Sequence, residues 1–244
     1  MLNTKSFFIL QDQTYAITKD STMINRPISY QPVHISYRLF GSLPTTIHKS
    51  LQTALENQLV DLSARRSLPL KHLAHLSLSA YLSEKRSTTI CNFLLADKFL
   101  DIQKEGPMFL GDNKAKQIII NSWHHIAKQY NLTIYAISVM SNHVHVLLAA
   151  NDEEAELDYK LIMERHKHFT ATKINKFQGS LGRRVWAKIA FDVDVRPGRF
   201  ERTLWYVLNN PKKAGLCEDI FNWAGNWWNP ILDQEYVMPY RLAC

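Results

Sequence analysis

The sequence predicts an α+β protein built on a ferredoxin-like (split βαβ) antiparallel sheet. The predicted elements follow the order strand, helix, strand, strand, helix, strand, which is the order of that fold. The composition, 46% apolar and 21% charged over 244 residues, is typical of a globular protein and excludes disordered and fibrous classes. In this arrangement we expect the first strand to lie beside the third at the centre of the sheet.

The first strand is predicted over 34–40, where polar and apolar residues alternate with the period of a half-buried strand. Residues 45 to about 84 are then predicted to be helical, with a break near Pro69. A further helix is predicted from Asp112 or Asn113 to about Tyr130. Residues 45–105 are more than one crossover helix needs, so we expect a helical insertion after the first strand.

The second half begins with two closely spaced strands, predicted over 133–140 and 143–149. A long helix over 154–177 and a strand over 185–195 follow. A last helix is predicted from Gly198 to about Asn210, where Pro211 is expected to end it. The tail, 217–244, is aromatic and has little periodicity. We expect 1–244 to form a single catalytic domain.

Several protein classes are excluded by pattern. No stretch approaches the roughly 18–20 apolar residues of a membrane-spanning helix. The apolar run Phe7 to Leu10 is too short for the core of a signal peptide. Cys91, Cys217 and Cys244 are far apart and form no CxxC pair, which argues against a disulfide scaffold and against a cysteine-based zinc site. The sequence therefore predicts a cytoplasmic protein that does not associate with membranes.

The positive charge is concentrated in one segment. The net charge is +7, and the segment 160–213 contains 13 basic and 4 acidic residues, so the rest of the chain is slightly acidic. Such asymmetry is typical of proteins that bind a polyanion such as nucleic acid. A solvated surface that happens to be basic is the alternative.

His143 and His145 are the first candidate site. On a strand, residues two apart point to the same face, so the two imidazoles could converge on one divalent ion while Val144 and Val146 fill the other face. Spacing alone leaves a structural role and a ligand role both open. The pair His166 and His168 lies on a predicted helix, where this spacing makes the side chains diverge.

Tyr206 and Asn210 form a second cluster, one turn apart on the last helix. Arg199 and Arg202 lie on adjoining turns. A tyrosine near a metal can attack a phosphodiester, and nearby arginines are expected to help lower the pKa of its phenol. The alternative is that Tyr206 only packs beside Trp205.

Together these motifs resemble the REP-associated tyrosine transposases, which are HUH single-strand DNA endonucleases. The family's Met-Pro-Asn-His-Val-His motif stands here as residues 140–145, with Ser141 in place of proline, and is followed by Val146-Leu147-Leu148. Its Tyr-Ile-x-x-Asn-Pro-x-x-Ala-Gly-Leu motif stands as residues 206–216, with Val207 in place of isoleucine. The resemblance covers about residues 30–225, and further matches are His34-x-Ser36-x-Arg38, the stretch from Lys167 to Asn175, Val185-Trp186 and Phe191-Asp192.

The resemblance implies a mechanism. His143, His145 and Asn210 would bind Mg²⁺ or Mn²⁺. Tyr206 would attack single-stranded DNA at hairpin or palindromic repeats, form a 5′-phosphotyrosine link and free a 3′-hydroxyl. The expected partner is therefore single-stranded or hairpin DNA, and the expected assembly is a monomer or homodimer.

The basic segment and the polar face of the first strand supply candidate DNA contacts, namely His34, Arg38, Lys167, Arg183, Arg184, Arg199 and Arg202. A non-catalytic protein that binds hairpin DNA or RNA is the main alternative, because ferredoxin-like sheets also bind single strands. A metal hydrolase with a water nucleophile is a third hypothesis. It is disfavoured because the sequence shows no additional His or Asp ligands around the proposed metal.

Overall fold

The computed structural model describes residues 27–243. The Phe7–Leu10 run and Cys244, considered above, lie outside this range. No helix in the described range is long and apolar enough to cross a membrane. The strands are β1 (Val33–Leu39), β2 (Leu132–Val139), β3 (His143–Ala150), β4 (Trp186–Asp194) and β5 (Asn226–Trp228), and the helices are α1 (Thr45–Ser67), α2 (Leu78–Ile102), α3 (Asn113–Tyr130), α4 (Tyr159–Phe177), α5 (Phe200–Lys213) and α6 (Met238–Ala243).

The five strands form one antiparallel sheet in the order β4-β1-β3-β2-β5. The predicted α+β class and the central position of β1 beside β3 are confirmed. In the β1–β3 register Ser36 pairs with His145 and Arg38 with His143. The edge strand β5, which pairs with β2, was not predicted, because three residues are too few to show a period.

The two faces of the sheet differ in chemistry. On one face Ile35, Tyr37, Val144 and Val146 join the main core, which α3 and α4 cover with residues such as Trp123, Ile119 and Ile162. The opposite face presents His34, Ser36, His143 and His145, all of them buried. Because strand residues alternate between faces, the same two strands build an apolar core and a buried polar site.

Helix α5 corrects one prediction. It continues through Pro211 to Lys213 instead of ending at Asn210. A proline in the last turn removes only one N–H donor, and Pro211 is buried there. The helix is ended by Gly215, which has φ +68°, a conformation that a residue without Cβ adopts at little cost.

Helices α1 and α2 occupy the region in which the helical insertion is expected. They pack against each other, and Asn92 Nδ2 donates to the Leu51 carbonyl at 2.7 Å. Helix α2 extends well past the predicted end near residue 84. Helix α4 begins five residues later than predicted, because the Asp158 carboxylate accepts from the Leu161 N–H and caps it there.

Candidate metal centre and tyrosine site

His143 and His145 point to the same side of β3, with ring centroids 4.8 Å apart and no exposed surface. Burial, together with the neighbouring His145, lowers the pKa of His143 to about 3. His143 is therefore neutral at pH 7, which is the form of imidazole that binds metal ions.

Asn142 sets the orientation of His143. Its amide nitrogen donates to the Leu100 carbonyl of α2 at 2.9 Å, so its oxygen accepts from His143 Nδ1 at 2.6 Å. With the proton on Nδ1, the lone pair of neutral His143 is on Nε2. Partners of this kind commonly fix the tautomer of a metal-binding histidine.

His34 contacts Nδ1 of His145, as Asn142 contacts Nδ1 of His143. The two rings stack at 5.2 Å, and His34 Nε2 lies 3.0 Å from His145 Nδ1. Burial is the main cause that lowers the pKa of His34 to about 3. Since the hydrogen bond involves His145 Nδ1, its Nε2 remains on the side of the cluster described next.

Asp97, on α2, completes a three-residue cluster with the two histidines. Its Oδ1 lies 3.3 Å from His145 Nε2 and 3.6 Å from His143 Nε2. The candidate ligand atoms lie within 4.8 Å of one another. All three atoms are buried and lack a hydrogen-bond partner among residues 27–243. Buried polar atoms without partners are costly, and a divalent cation would satisfy them together, so the donor set fits a metal ion.

Asp101, one turn after Asp97, lies at the edge of this cluster, with Oδ1 3.7 Å from His143 Nε2. Burial and the nearby Asp97 charge raise the pKa of Asp101 to about 7. Burial also acts to raise the pKa of Asp97, but His145, His143 and the Tyr206 hydrogen bond outweigh it and hold that pKa below its usual range. Asp97 is therefore the carboxylate that remains charged.

Tyr206, on α5, contacts the second carboxylate oxygen of Asp97. Its hydroxyl donates to Asp97 Oδ2, and its ring meets His145 edge-on at 5.8 Å. Burial and the Asp97 charge raise the pKa of Tyr206. The expectation that Arg199 and Arg202 lower this pKa is therefore not met: the described arrangement holds the phenol protonated.

Asn210 is placed one turn after Tyr206, as predicted from the spacing, and is almost fully buried. Neither polar atom of its amide has a hydrogen-bond partner among residues 27–243. A buried amide with two unsatisfied atoms is unusual, and a ligand would explain it.

The other candidate DNA contacts are dispersed. Arg199, which precedes α5, and Arg202, on its first turn, are exposed and line a cavity beside Tyr206. Arg38 is half-buried opposite His143 in the register, and His34 is buried against His145.

The other three candidate DNA contacts lie outside the site around Tyr206. Lys167 Nζ donates to the Ala187 and Lys188 carbonyls of β4 from the α4 side. Arg183, in the α4–β4 turn, donates to Asn175 and Gln178. Arg184 is exposed, and its guanidinium lies 4.1 Å from the centre of the Phe40 ring.

Asp97 is the site residue that the sequence reasoning missed. The argument against a metal hydrolase assumed that no further Asp or His lies near the two histidines, and this assumption is wrong. A signal was present: Phe93, Asp97 and Leu100 are the buried residues of α2 and form one stripe. A carboxylate in an otherwise apolar helical stripe needs a buried partner.

Part of the chain resembles a known protein family. The family model described as "Transposase IS200 like" matches residues 107–194. This range includes both histidines and the strands β2 to β4, whereas Asp97 and Tyr206 lie outside it. No curated protein sequence matches the chain.

Two solved structures are similar in outline. One is a REP-associated tyrosine transposase bound to a REP hairpin, with 10% identity, a TM-score of 0.42 and coverage of 86% of this chain and 80% of that chain. The other is a transposase-like protein from Deinococcus radiodurans R1, with 13% identity, a TM-score of 0.31 and coverage of 80% and 98%. Both TM-scores lie below 0.5.

The family match bears on the motif that first pointed to a transposase. It covers the strand with His143 and His145 and does not include the Tyr206 motif. The resemblance predicted from the sequence is confirmed over residues 107–194, where the chain matches the IS200-like transposases, and this match supports a transposase-type function.

Proposed function

We propose that the protein is a metal-dependent single-strand DNA nickase and strand transferase that acts at hairpin or palindromic repeats. One observation carries the proposal. Asp97 accepts a hydrogen bond from the Tyr206 hydroxyl with one oxygen and faces Nε2 of His143 and His145 with the other. A tyrosine hydroxyl and a metal-type ligand set therefore share a single carboxylate.

The metal ligands in this proposal are His143, His145 and Asp97, with Asn210 as the amide ligand that the family resemblance implies. A bound Mg²⁺ or Mn²⁺ would polarise the phosphate and stabilise its developing charge. Asn142 and His34 would hold the two imidazoles in orientation.

Tyr206 is the nucleophile in this proposal. Its oxygen would form a bond to phosphorus and give up its proton along the hydrogen bond to Asp97. The bond from phosphorus to the 3′ oxygen would break, and that oxygen would take up a proton. The products are a 5′-phosphotyrosine link and a free 3′-hydroxyl. Asp97 would direct the hydroxyl in the resting site, and the exposed Arg199 and Arg202 lie where they could neutralise the phosphates that approach it.

A second candidate is a metal hydrolase with a water nucleophile. Asp97 favours it, since two histidines and a carboxylate are a ligand set that leaves room for a water. A non-catalytic protein that binds hairpin DNA or RNA is the third. In that case the buried cluster would be structural.

A denaturing gel and a native gel of the same reaction separate the three candidates. A labelled single-stranded DNA hairpin is incubated with the protein and Mn²⁺, then resolved by denaturing electrophoresis. We expect a covalent adduct that maps to Tyr206 and disappears in Tyr206→Phe. Tyr130→Phe, at the end of α3 on the far side of the sheet, is the matched control and should retain it.

The other outcomes are equally clear. A cleaved product without an adduct would support the hydrolase. A shifted band in a native gel with no cleavage would support the binding protein. An adduct that persists in Tyr206→Phe would refute the assigned nucleophile.

A further inference from the structure

Two cavities flank Tyr206 on the surface of the protein. The first, of about 560 Å³, lies along α5 and is bordered by Tyr240 of α6. The second, of about 310 Å³, lies between α2, the end of β4 and the start of α5. Tyr206 and Arg202 are the two residues that line both. The tyrosine therefore stands at the boundary between two open spaces.

Both cavities are strongly basic. The first is lined by three cations, Arg202, Lys212 and Lys213, and by no acidic residue. Lys213 Nζ lies 4.5 Å from the centre of the Tyr206 ring, so this charge is next to the tyrosine. The second is lined by four arginines and one acidic residue: Arg86, Arg196, Arg199, Arg202 and Asp194. Positive charge on both sides of one residue suits a ligand with several phosphates, and less so a ligand with one.

The first cavity also has an aromatic wall. Trp205 and Tyr240 stack with centroids 3.8 Å apart and an interplanar angle of 18°. The Tyr240 hydroxyl donates to Asn209 Oδ1 at 3.0 Å, which ties α6 to α5. Aromatic rings held rigidly beside cations are the usual means by which proteins bind the bases and phosphates of a single strand without regard to sequence.

We propose that the cavity lined by Trp205, Lys212, Lys213 and Tyr240 is a nucleotide subsite. It binds the nucleotide on one side of the phosphate that Tyr206 attacks, and the arginine-lined cavity binds the strand on the other side. The inference rests on the proposed function and adds to it the path of the strand. It also gives the C-terminal aromatic residue Tyr240 a role in binding substrate.

The size of the first cavity agrees with this assignment. Pockets for small organic ligands occupy roughly 300–1,000 Å³, and a nucleotide is a ligand of that size. The boundary position of Tyr206 agrees as well. A strand that occupies both cavities must bring one of its phosphates past the hydroxyl.

The test measures binding without chemistry. Fluorescein-labelled (dT)₁₂ is titrated by anisotropy in a chelator, with the Tyr206→Phe protein as the background. Base stacking on one aromatic ring corresponds to about 5- to 160-fold in affinity. We expect Tyr240→Ala to weaken binding within this range, whereas Tyr240→Phe, which keeps the ring, should bind within about 3-fold of the background protein.

If Tyr240→Ala disturbs the folding of α6, a charge-reversal variant tests the same subsite. Lys212 is exposed, so Lys212→Glu should fold normally, and we expect it to weaken (dT)₁₂ binding at least about 5-fold. The matched control is Lys128→Glu, an equally exposed lysine near the end of α3 on the far side of the sheet, with an expected effect under 2-fold.

The nucleotide subsite and the proposed nickase function would be refuted by different results. Equal effects of Lys212→Glu and Lys128→Glu, together with normal binding by Tyr240→Ala, would overturn the subsite even if wild-type protein still formed the adduct. No detectable binding of (dT)₁₂ by the background protein would overturn it as well. Conversely, loss of the adduct activity would not affect this measurement, which needs neither metal nor Tyr206.

Discussion

Replacing Asp97 by asparagine tests whether α2 supplies a metal ligand. The substitution keeps the size of the side chain and removes the charge that faces the two Nε2 atoms. Mutation of residues that only support metal ligands costs about 10–100-fold in affinity. Asp97 faces the site directly, so we expect Mn²⁺ affinity to fall by at least about 100-fold.

The magnitude can be converted into a thermal shift. At Mn²⁺ about 100 times the wild-type Kd, binding stabilises the folded state by about 2.7 kcal/mol. A site that is about 100-fold weaker contributes about 0.4 kcal/mol at the same concentration. In a chain of this size 1 kcal/mol changes Tm by about 2–4 °C. The Mn²⁺-induced rise in Tm should therefore fall from about 5–11 °C to about 1 °C.

The assay is thermal denaturation followed by circular dichroism, with Mn²⁺ and with chelator. Because the quantity compared is the Mn²⁺-induced rise within each variant, any effect of the substitution on the metal-free fold cancels. Asp61→Asn, the same chemical change on the exposed side of α1, is the control and should retain the full rise. A full rise in Asp97→Asn would refute Asp97 as a ligand.

The remaining predictions concern three other parts of the molecule. His145→Ala should abolish cleavage while hairpin binding persists, and full cleavage activity in excess chelator would contradict the metal role. Arg184→Glu should weaken DNA binding without changing Mn²⁺ affinity, and wild-type binding should itself fall steeply with salt, as titrations at two or three salt concentrations would show. Tyr37→Phe should lower the free energy of unfolding by about 2–6 kcal/mol in urea denaturation, because the lost hydroxyl leaves His166 Nε2 and Trp123 Nε1 buried without partners. A loss under about 1 kcal/mol would show that the core accommodates these two unpaired atoms.

Much of the sheet could be predicted from the sequence, because its signals are local. The period of two in β1 and β3 assigned His34, Ser36, His143 and His145 to one face, and the register places these strands side by side. The start of α3 was predicted from Asp112, whose carboxylate accepts from two N–H groups of the first turn.

The role of Asp97 could not be predicted, because it depends on tertiary packing. A helix in an insertion can lie anywhere that its apolar stripe finds a partner. Phe93 stacks on Phe191 of β4 at 3.8 Å, and this contact brings α2 across the polar face of the sheet. Only then does Asp97, one turn further on, meet the histidines. The apolar stripe around Asp97 indicates that this carboxylate is buried, but it does not show which residues the carboxylate meets.

The direction of the Tyr206 pKa could not be predicted for a related reason. Arg199 and Arg202 are close in sequence and suggested a lowered pKa. The decisive causes are the burial of the phenol and the charge of Asp97, a carboxylate more than 100 residues away in the chain. Charge partners that are distant in the chain can be recognised only after the fold is known.

The position of Asp97 has a consequence for the order of binding. A phosphodiester that approaches Tyr206 brings a negative charge toward the Asp97 carboxylate, which is held ionised. Two like charges about 4 Å apart repel by about 4 kcal/mol at the effective dielectric of a protein surface. A divalent cation between them would turn this repulsion into attraction. The basic cavities on either side of Tyr206 need no such help, since Asp194 is the one acidic residue that lines either of them. Under the proposed function, the flanking nucleotides would therefore bind without the ion, whereas the scissile phosphate would settle against Tyr206 only with it. DNA binding and cleavage would then be separable within one site.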